Sequence, residues 1–283
     1  MPEPRFDGLT ILILESRRSR ELASIVRSYG GQPRIAPSMR EVPLESNAPA
    51  LEFADALVRG EFDLVILLTG VGTRALVDVV ARARGSSEPF VAALARTKVV
   101  ARGPKPVAVL RDLQVPIWLA APEPNTWREL LDALDQKKSD TPVSGLRVAV
   151  QEYGVSNPEL LAGLEARGAR VTRVPVYRWA LPEDLQPLRE ACHAVARGEI
   201  DVALFTTSIQ IVHLLQVARS MQLRSAVLSG LQRVVVASIG PTTSEELRKH
   251  GIPVDLEPSH PKMGFLAREA AERAHELLRT KRQ

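Results

Sequence analysis

The chain has 283 residues, of which 45% are hydrophobic and 25% charged, a composition typical of globular proteins and a length sufficient for two domains. The formal net charge is +4, but Lys and Arg are spread along the chain and aromatic residues make up only 4%, which disfavours a nucleic-acid surface. One cysteine, Cys192, excludes an intrachain disulfide, and no apolar run approaches membrane-spanning length. We therefore expect a cytoplasmic protein that binds neither nucleic acid nor a membrane.

The first half of the chain predicts alternating strands and helices. Residues 9–14 form a nearly continuous apolar run, typical of a parallel strand covered on both faces. The pattern then predicts a helix over 18–29, a strand over 32–36, a linker over 37–47, a helix over 50–59, a strand over 62–69, a helix over 71–84, a loop over 85–87, a strand over 98–101, a helix over 105–113, a strand over 115–119 and a helix over 127–137.

The second half continues the alternation after a polar tract at 137–142. It predicts a strand over 146–150, a helix over 158–167, a strand over 171–177, a helix over 182–197, a strand over 202–206, helices over 209–220 and 223–228, a strand over 234–238, a helix over 242–250, a strand over 253–256 and a terminal helix over about 264–279. Such alternation indicates an α/β fold with parallel sheets and helices on both faces.

A repeat relates the two halves. Residues 59–70, RGEFDLVILLTG, return as residues 197–208, RGEIDVALFTTS, 138 positions later. Gly103-Pro104 returns as Gly240-Pro241, and Glu15 returns as Glu152, both 137 positions later. The nearly constant offset indicates an internally duplicated α/β unit.

Five strand-to-helix turns carry the residues that could bind a ligand, because open parallel sheets bind ligands at the carboxyl ends of their strands. Each turn opens a helix, whose first backbone N–H groups attract carboxylates or phosphates. Any one turn could simply be a good helix cap, but five in the same topological position favour an anionic ligand. The turns are residues 69–73, 102–105, 153–157, 206–208 and 240–243.

Two common kinds of site are not predicted. Residues 70–75 fit the dinucleotide fingerprint G-x-G-x-x-A, but the acid expected about 20 residues further on is missing and that strand ends in Ala101-Arg102. The five histidines lie scattered, without paired ligand spacing, so we predict no metal site.

With these turns, the chain resembles the uroporphyrinogen-III synthase family. The residues that carry the resemblance are 68–72 (LTGVG), 101–105 (ARGPK), 174–177 (VPVY), 205–208 (FTTS) and 238–243 (SIGPTT). The resemblance implies two doubly wound parallel-sheet α/β domains, with a cleft between them and a two-stranded connector. Domain 1 would be 1–40 plus 180–283, domain 2 would be 45–175, and the connectors would be 37–44 and 174–179. The pattern alone would predict two consecutive halves.

The resemblance also implies an activity. Family members convert hydroxymethylbilane, a linear tetrapyrrole polycarboxylate, into cyclic uroporphyrinogen III, with loss of water and inversion of ring D and without a cofactor. The implied protein is a monomer whose partner is this small-molecule substrate. Tyr177 would donate a proton or position water near the leaving hydroxyl; alternatively, it is a packed connector residue. The implied substrate-binding residues are Thr69, Gly70, Gly72, Arg102, Gly103, Lys105, Tyr153, Gly154, Thr206, Ser208, Gly240, Thr242 and Thr243.

Two other functions fit the same residues. A two-lobed protein could bind an anionic small molecule without catalysis, and a regulatory protein could reuse the fold. The first alternative predicts ligand binding without any change in the product of spontaneous cyclisation.

Overall fold

The structure is a computed structural model that describes residues 4–44, 46–137, 142–152, 154 and 156–282. The chain forms two compact units. Unit 1 comprises Met1–Arg40 and Ala180–Gln283, and unit 2 comprises Glu41–Trp179. Unit 1 is therefore discontinuous in sequence.

The first half of the chain supplies elements to both units. In order they are β1 (Thr10–Ile13), α1 (Ser19–Ser28), β2 (Gln32–Ile35), β3 (Arg40–Pro43), α2 (Ala48–Val58), β4 (Leu64–Leu67), α3 (Gly70–Arg84), α4 (Glu88–Arg96), β5 (Lys98–Ala101), α5 (Pro104–Asp112), β6 (Leu119–Ala120) and α6 (Trp127–Gln136).

The second half repeats the alternation. Its elements are β7 (Arg147–Gln151), α7 (Pro158–Ala166), β8 (Arg170–Val174), β9 (Tyr177–Ala180), α8 (Gln186–Arg197), β10 (Val202–Phe205), α9 (Ile209–Ser220), α10 (Arg224–Leu231), β11 (Val235–Ser238), α11 (Pro241–Lys249) and α12 (Met263–Arg282). None of the helices in the described part of the chain combines the length and apolarity that crossing a membrane requires.

The two larger sheets are parallel, which confirms the predicted α/β class. Unit 1 has the strand order β11-β10-β1-β2, and unit 2 has β6-β5-β4-β7-β8. Each sheet combines strands from both copies of the repeat, so the copies are interleaved rather than consecutive. The strands β3 and β9 form a separate two-stranded sheet.

The central strands are apolar along their whole length because each sheet is covered on both faces. In β4, Val65 and Leu67 pack in a core with α2 to α5, whereas Leu64 and Ile66 pack in another core with α6 and α7. The strand β10 divides its side chains between two cores of unit 1 in the same way. Complete burial of such a side chain contributes about 1.5–3 kcal/mol to stability.

One predicted strand is wrong and another is displaced, both at the same edge position of the repeat. Residues 253–256 form no strand; Leu256 makes a single parallel bridge to Ala237. The Asp255 carboxylate accepts the Val236 N–H at 2.7 Å, so a side chain takes the place of a ladder bond. The strand predicted over 115–119 begins only at Leu119.

The other differences are local, and proline explains the first of them. The strand predicted over 171–177 is two strands, since Pro175 lies between β8 and β9 and has no N–H to pair. The helix α4 was not predicted, although Pro89 is compatible with its first turn and Phe90 is buried. The helix predicted from residue 182 begins only at Gln186. Part of the predicted linker 37–47 is the strand β3.

Candidate functional site

The predicted binding turns lie at the carboxyl edges of the two sheets. In unit 2, Leu67 pairs in register with Ala101 and Gln151, so the turns after β4, β5 and β7 are neighbours. In unit 1, Phe205 pairs with Ser238, and Leu204 pairs with Ile13, so the turns after β10, β11 and β1 are also neighbours. The parallel register therefore groups the predicted residues within each unit.

Thr69 is the N-cap of α3. Its Oγ1 accepts the N–H of Gly72 at 3.0 Å, and its carbonyl accepts the Thr73 hydroxyl at 2.8 Å. The first bond satisfies a backbone donor at the start of the helix, and the second gives the Thr73 hydroxyl an acceptor. Thr69 thus orders the turn through its own side chain.

Gly70 brings two helix N-termini together. A Cβ atom at this position would lie 2.7 Å from the backbone oxygen of Lys105, closer than real contacts allow. The first turn of α3 therefore approaches the first turn of α5. Two adjacent helix N-termini concentrate positive potential at this edge of the sheet.

Gly72 makes room for a buried amide. A Cβ atom here would lie 2.1 Å from Nε2 of Gln151, whose side chain is almost fully buried. The Oε1 atom of Gln151 accepts the N–H groups of Leu68 and Thr69 at 3.3 and 3.4 Å. The second glycine of the dinucleotide-like motif therefore packs against protein, because the space beside it is filled by Gln151.

The turn after β5 offers few backbone donors. Gly103 is the N-cap of α5 and no side chain caps this end of the helix. Pro104 and Pro106 have no N–H, so Lys105 is the one residue of the first three in the helix that carries a backbone donor. Lys105 is exposed and Arg102 is half-buried.

The turn after β7 is described only in part. Tyr153, a predicted site residue, lies outside the described residues. Gly154 has φ +80°, the left-handed region that favours glycine, and makes a single parallel bridge to Arg178. A Cβ atom at Gly154 would lie 2.4 Å from the ring of Trp179. Gly154 therefore allows close packing against Trp179.

Tyr177, the predicted catalytic residue, lies on β9. It is 7% exposed and belongs to the core that includes Val174 and Val176. Its ring packs edge-to-face on Trp179, with the centroids 5.3 Å apart and the planes at 83°. Most of the Tyr177 surface is therefore committed to packing in unit 2.

In unit 1, the polar groups of Thr206 form hydrogen bonds to neighbouring side chains. Its hydroxyl donates to Oε2 of Glu15 at 2.5 Å and accepts from Nε2 of Gln210 at 2.9 Å. Its N–H donates to Oε1 of Gln210 at 2.8 Å. The polar hydrogens of Thr206 are thus used within the protein.

Ser208 differs from Thr206. It precedes α9 but its side chain does not cap that helix. Among the residues that the structure describes, the Ser208 hydroxyl has no hydrogen-bond partner, and the residue is half-buried. Its neighbour Thr207, which we did not predict as a site residue, is also half-buried and its hydroxyl has no partner in the same part of the chain.

The turn after β11 has nearly the same backbone conformation as the turn after β5. Gly240 has φ 164° and ψ −177°, against 162° and −170° at Gly103, and neither helix end has a side-chain cap. Thr242 is half-buried and Thr243 is 4% exposed. The N–H of Thr243 donates to the Gly240 carbonyl at 3.1 Å. Both threonines of the α11 turn carry an N–H, and that of Thr243 is bound to Gly240, whereas the first three residues of α5 carry only the N–H of Lys105.

Two buried carboxylates at these edges were missed as site residues. Glu15 follows β1, is 8% exposed, and accepts the N–H groups of Arg17 and Arg18 at 3.0 and 3.3 Å as well as the Thr206 hydroxyl. Glu152 follows β7 and is 6% exposed. Their repeat spacing was visible in the sequence and could have drawn attention to them.

Glu152 holds an arginine. Its Oε1 and Oε2 atoms accept Nε and Nη2 of Arg173 at 2.8 and 3.1 Å. The hydrogen bond to Glu152 raises the pKa of Arg173, whose guanidinium is charged. In the described part of the chain, no cluster of three His, Cys, Asp or Glu residues could hold a metal ion.

Known proteins match this chain along most of its length. The model of the family described as uroporphyrinogen-III synthase HemD matches residues 20–268. The uncharacterized protein YjjA of Bacillus subtilis is 30% identical over 266 residues, which cover 94% of this chain and 96% of YjjA. A protein of Methanothermobacter thermautotrophicus, provisionally named uroporphyrinogen-III synthase, is 30% identical over 240 residues, covering 83% of this chain and 87% of that protein.

Solved structures match the fold. A mutant uroporphyrinogen III synthase of Thermus thermophilus aligns with a TM-score of 0.72 at 24% identity, over 95% of this chain and 100% of that one. The wild-type Thermus thermophilus protein aligns with a TM-score of 0.57 at 26% identity, over 95% and 99% of the two chains. The family match and the fold agree, and the chain belongs to the uroporphyrinogen-III synthase family.

Proposed function

We propose that the protein is a uroporphyrinogen-III synthase, a lyase that cyclises hydroxymethylbilane to uroporphyrinogen III in tetrapyrrole biosynthesis. The observation that carries the proposal is the family match over residues 20–268 together with the grouping of the matched turns at the carboxyl edges of both sheets. We further propose that the protein acts as a cytoplasmic monomer.

The substrate carboxylates would bind the helix N-termini at these edges. The turns at Gly103 and Gly240 have no side-chain cap, which leaves the ends of α5 and α11 for an anionic group. Each helix end contributes about 0.3–1 kcal/mol to holding a carboxylate at an exposed site. Ser208 and Thr242 would add hydroxyl donors, whereas Thr206, Gly72 and Gly154 would hold the turns in shape.

The chemistry requires little from the protein beyond orientation and one proton. The carbon–oxygen bond to the terminal hydroxyl breaks, the hydroxyl takes up a proton and leaves as water, and the resulting azafulvene cation is attacked by a pyrrole carbon to form the ring. Attack at the substituted carbon of ring D gives a spiro intermediate, which reopens to a second cation. Reclosure through the unsubstituted carbon next to the ring D nitrogen inverts that ring, and loss of the proton from this carbon restores neutrality. A bound conformation that favours this attack accelerates it by proximity and orientation.

Tyr177 would supply or position the proton. On β9 it is nearly buried, and its ring packs edge-to-face on Trp179. The Tyr177→Phe variant keeps this packing but has no hydroxyl, so we expect kcat to fall about 10²-fold or more with KM almost unchanged. Steady-state kinetics on both proteins test this role, and wild-type kinetics in the variant would remove Tyr177 from the mechanism.

The function is tested by the isomer of the product. Hydroxymethylbilane is generated in situ, and the uroporphyrin isomers I and III are separated by chromatography after oxidation. A type III product that requires the protein supports the proposal. Formation of type I alone, at the spontaneous rate, contradicts it. Binding of the substrate without any change in the isomer would instead indicate a non-catalytic binding protein.

A further inference from the structure

The pair formed by Arg173 and Glu152 is unequally buried. The Arg173 side chain is 57% exposed, whereas that of Glu152 is 8% exposed. Both carboxylate oxygens face the guanidinium, through Nε and Nη2, so the pair has the two-pronged geometry that fixes the orientation of an arginine side chain. A nearly buried acid thus holds an exposed cation in one position.

The guanidinium keeps donors for a second partner. A guanidinium has five N–H donors, and two N–H···O contacts to Glu152 are formed here. Within the described part of the chain, Nη1 of Arg173 has no hydrogen-bond partner. An arginine whose Nε and Nη2 are bound to Glu152 and whose Nη1 still has its donors is suited to bind a carboxylate.

The pair lies at the binding edge of unit 2. Arg173 pairs in register with Val150 near the carboxyl end of β8, and Glu152 directly follows β7. Three strand spacings of about 4.8 Å separate β8 from β5, a distance of about 14 Å to the strand that precedes Arg102. A ligand with several carboxylates could therefore contact this cation and the helix N-termini together.

The repeat shows that the fold does not need an arginine at this position. In unit 1 the corresponding residue is Ile35, which pairs in register with Ile13 as Arg173 pairs with Val150. Glu15, the counterpart of Glu152, is satisfied by backbone N–H groups and Thr206. The cation is therefore a feature of unit 2 alone.

We propose that Arg173 binds a carboxylate of the substrate and that Glu152 is the residue that positions it. The proposal rests on the proposed function for the identity of the substrate. It assigns to β8 a binding residue outside the glycine- and threonine-rich turns.

The experiment compares Arg173→Gln with two matched variants. Arg170→Gln changes an exposed arginine at the other end of β8, and Arg147→Gln breaks the Arg147–Asp63 pair at the amino end of the sheet. We expect Arg173→Gln to raise KM for hydroxymethylbilane about 10-fold with kcat nearly unchanged. Its Tm should fall, because the nearly buried Glu152 loses its partner. Arg170→Gln should leave KM unchanged, and Arg147→Gln should lower Tm without a change in KM.

Glu152→Gln tests the positioning role. It should raise KM about 3-fold in the wild-type background and have no further effect in the Arg173→Gln background, because the side chain that it orients is then absent. Arg173→Lys should give an intermediate KM, since the charge remains but the two-pronged geometry is lost. Additive effects of Glu152→Gln and Arg173→Gln would contradict the positioning role.

A binding measurement separates this inference from the proposed function. The Kd of uroporphyrin III, a stable porphyrin with the same kinds of carboxylate, is measured by fluorescence for each variant. A Kd about 10-fold higher in Arg173→Gln than in Arg170→Gln supports the inference even if the wild-type protein forms no type III isomer. An equal Kd and KM in these two variants overturns the inference while the function can stand. A wild-type protein that neither binds the porphyrin nor forms type III overturns both.

Discussion

The two units satisfy the same backbone groups in different ways. At the end of the central strand, the N–H groups of Leu68 and Thr69 in unit 2 and of Thr206 in unit 1 are bound by a glutamine amide. In unit 2 the amide comes from Gln151 on the neighbouring strand β7. In unit 1 it comes from Gln210 on the helix α9, at the repeat position of Gly72. The helix position that is Gly72 in unit 2 is therefore Gln210 in unit 1, and Gln210 itself supplies the amide there.

The buried glutamates diverge similarly. Glu15 binds backbone N–H groups and a threonine, which completes the structure of its own turns. Glu152 binds the exposed Arg173. Both copies of the repeat have a glutamate after their first strand, which is β1 in one copy and β7 in the other. Only the glutamate of unit 2 binds an exposed arginine. The comparison indicates that the glutamate of unit 1 completes its own turn, whereas the glutamate of unit 2 orients a cation at the sheet edge.

The largest expected effect comes from Gly72→Ala. The new Cβ would lie 2.1 Å from Nε2 of Gln151, so the buried amide must move and the N–H groups of Leu68 and Thr69 lose their acceptor. We expect the free energy of unfolding to fall by about 3 kcal/mol, measured by urea denaturation. Adding Gln151→Ala should recover part of the loss by making room. The control is Gly264→Ala, where a Cβ meets nothing within 4 Å. Equal stability of the two single variants would refute the packing role of Gly72.

The next effect distinguishes the two glutamates. Glu15→Ala removes the acceptor of two backbone N–H groups and of the Thr206 hydroxyl, so we expect a loss of about 2 kcal/mol in the free energy of unfolding. Glu152→Ala frees an arginine that is already largely exposed to water, and we expect a loss below about 1 kcal/mol. Thermal and urea unfolding of both variants check the difference. Losses of the same size would contradict the contrast between the units.

The smallest effect is a pH dependence in unit 2. Hydrogen bonds from the Arg147 side chain and backbone lower the pKa of Asp63 from 3.8 to about 2. Because the folded-state pKa is the lower one, this stabilisation is complete above about pH 4 and is lost as the pH falls through about 2. The Asp63 side chain is 35% exposed, so screening by solvent reduces the contribution to about 1 kcal/mol.

Asp63→Asn should therefore lower the free energy of unfolding at pH 7, and its difference from the wild type should shrink as the pH falls toward 2. Urea unfolding at several pH values between 2 and 7 measures this convergence. The comparable variant in unit 1 is Asp201→Asn. In the wild type, Asp201 accepts the Thr10 N–H at 2.8 Å, and Asp63 accepts the Arg147 N–H at the same distance. A difference between wild type and Asp63→Asn that persists unchanged to pH 2 would exclude the carboxylate as its source.

Much of the architecture could be predicted because it follows from local patterns. The apolar runs that became β4 and β10 are buried on both faces, and the helix α9 has the predicted bounds 209–220. The errors lie where local patterns were weak or misleading. The edge strand over 253–256 failed because the Asp255 carboxylate occupies the Val236 N–H, a tertiary contact that periodicity does not report.

The candidate site was less predictable than the fold. The turns were recognised from their glycine, serine and threonine content, but composition cannot assign a hydrogen bond. Thr206 and Ser208 are similar in sequence terms, yet the hydroxyl of Thr206 is bound to Glu15 and Gln210, whereas the Ser208 hydroxyl has no partner among the described residues. The roles of these two residues depend on side chains from other segments.

By itself, the sequence determined the alternation of strands and helices, the parallel sheets and the duplication. Continuous apolar runs indicate strands buried on both faces, and segments repeated at a nearly constant spacing indicate the duplication. The interleaving of the two copies, which the repeat pattern alone did not indicate, was decided by the tertiary structure. So were the amide that binds the turn after the central strand, from Gln151 in one unit and from Gln210 in the other, and the ion pair of Arg173 with Glu152. These features join residues far apart in the chain, and their partners are chosen by strand order and register, which a local pattern does not fix.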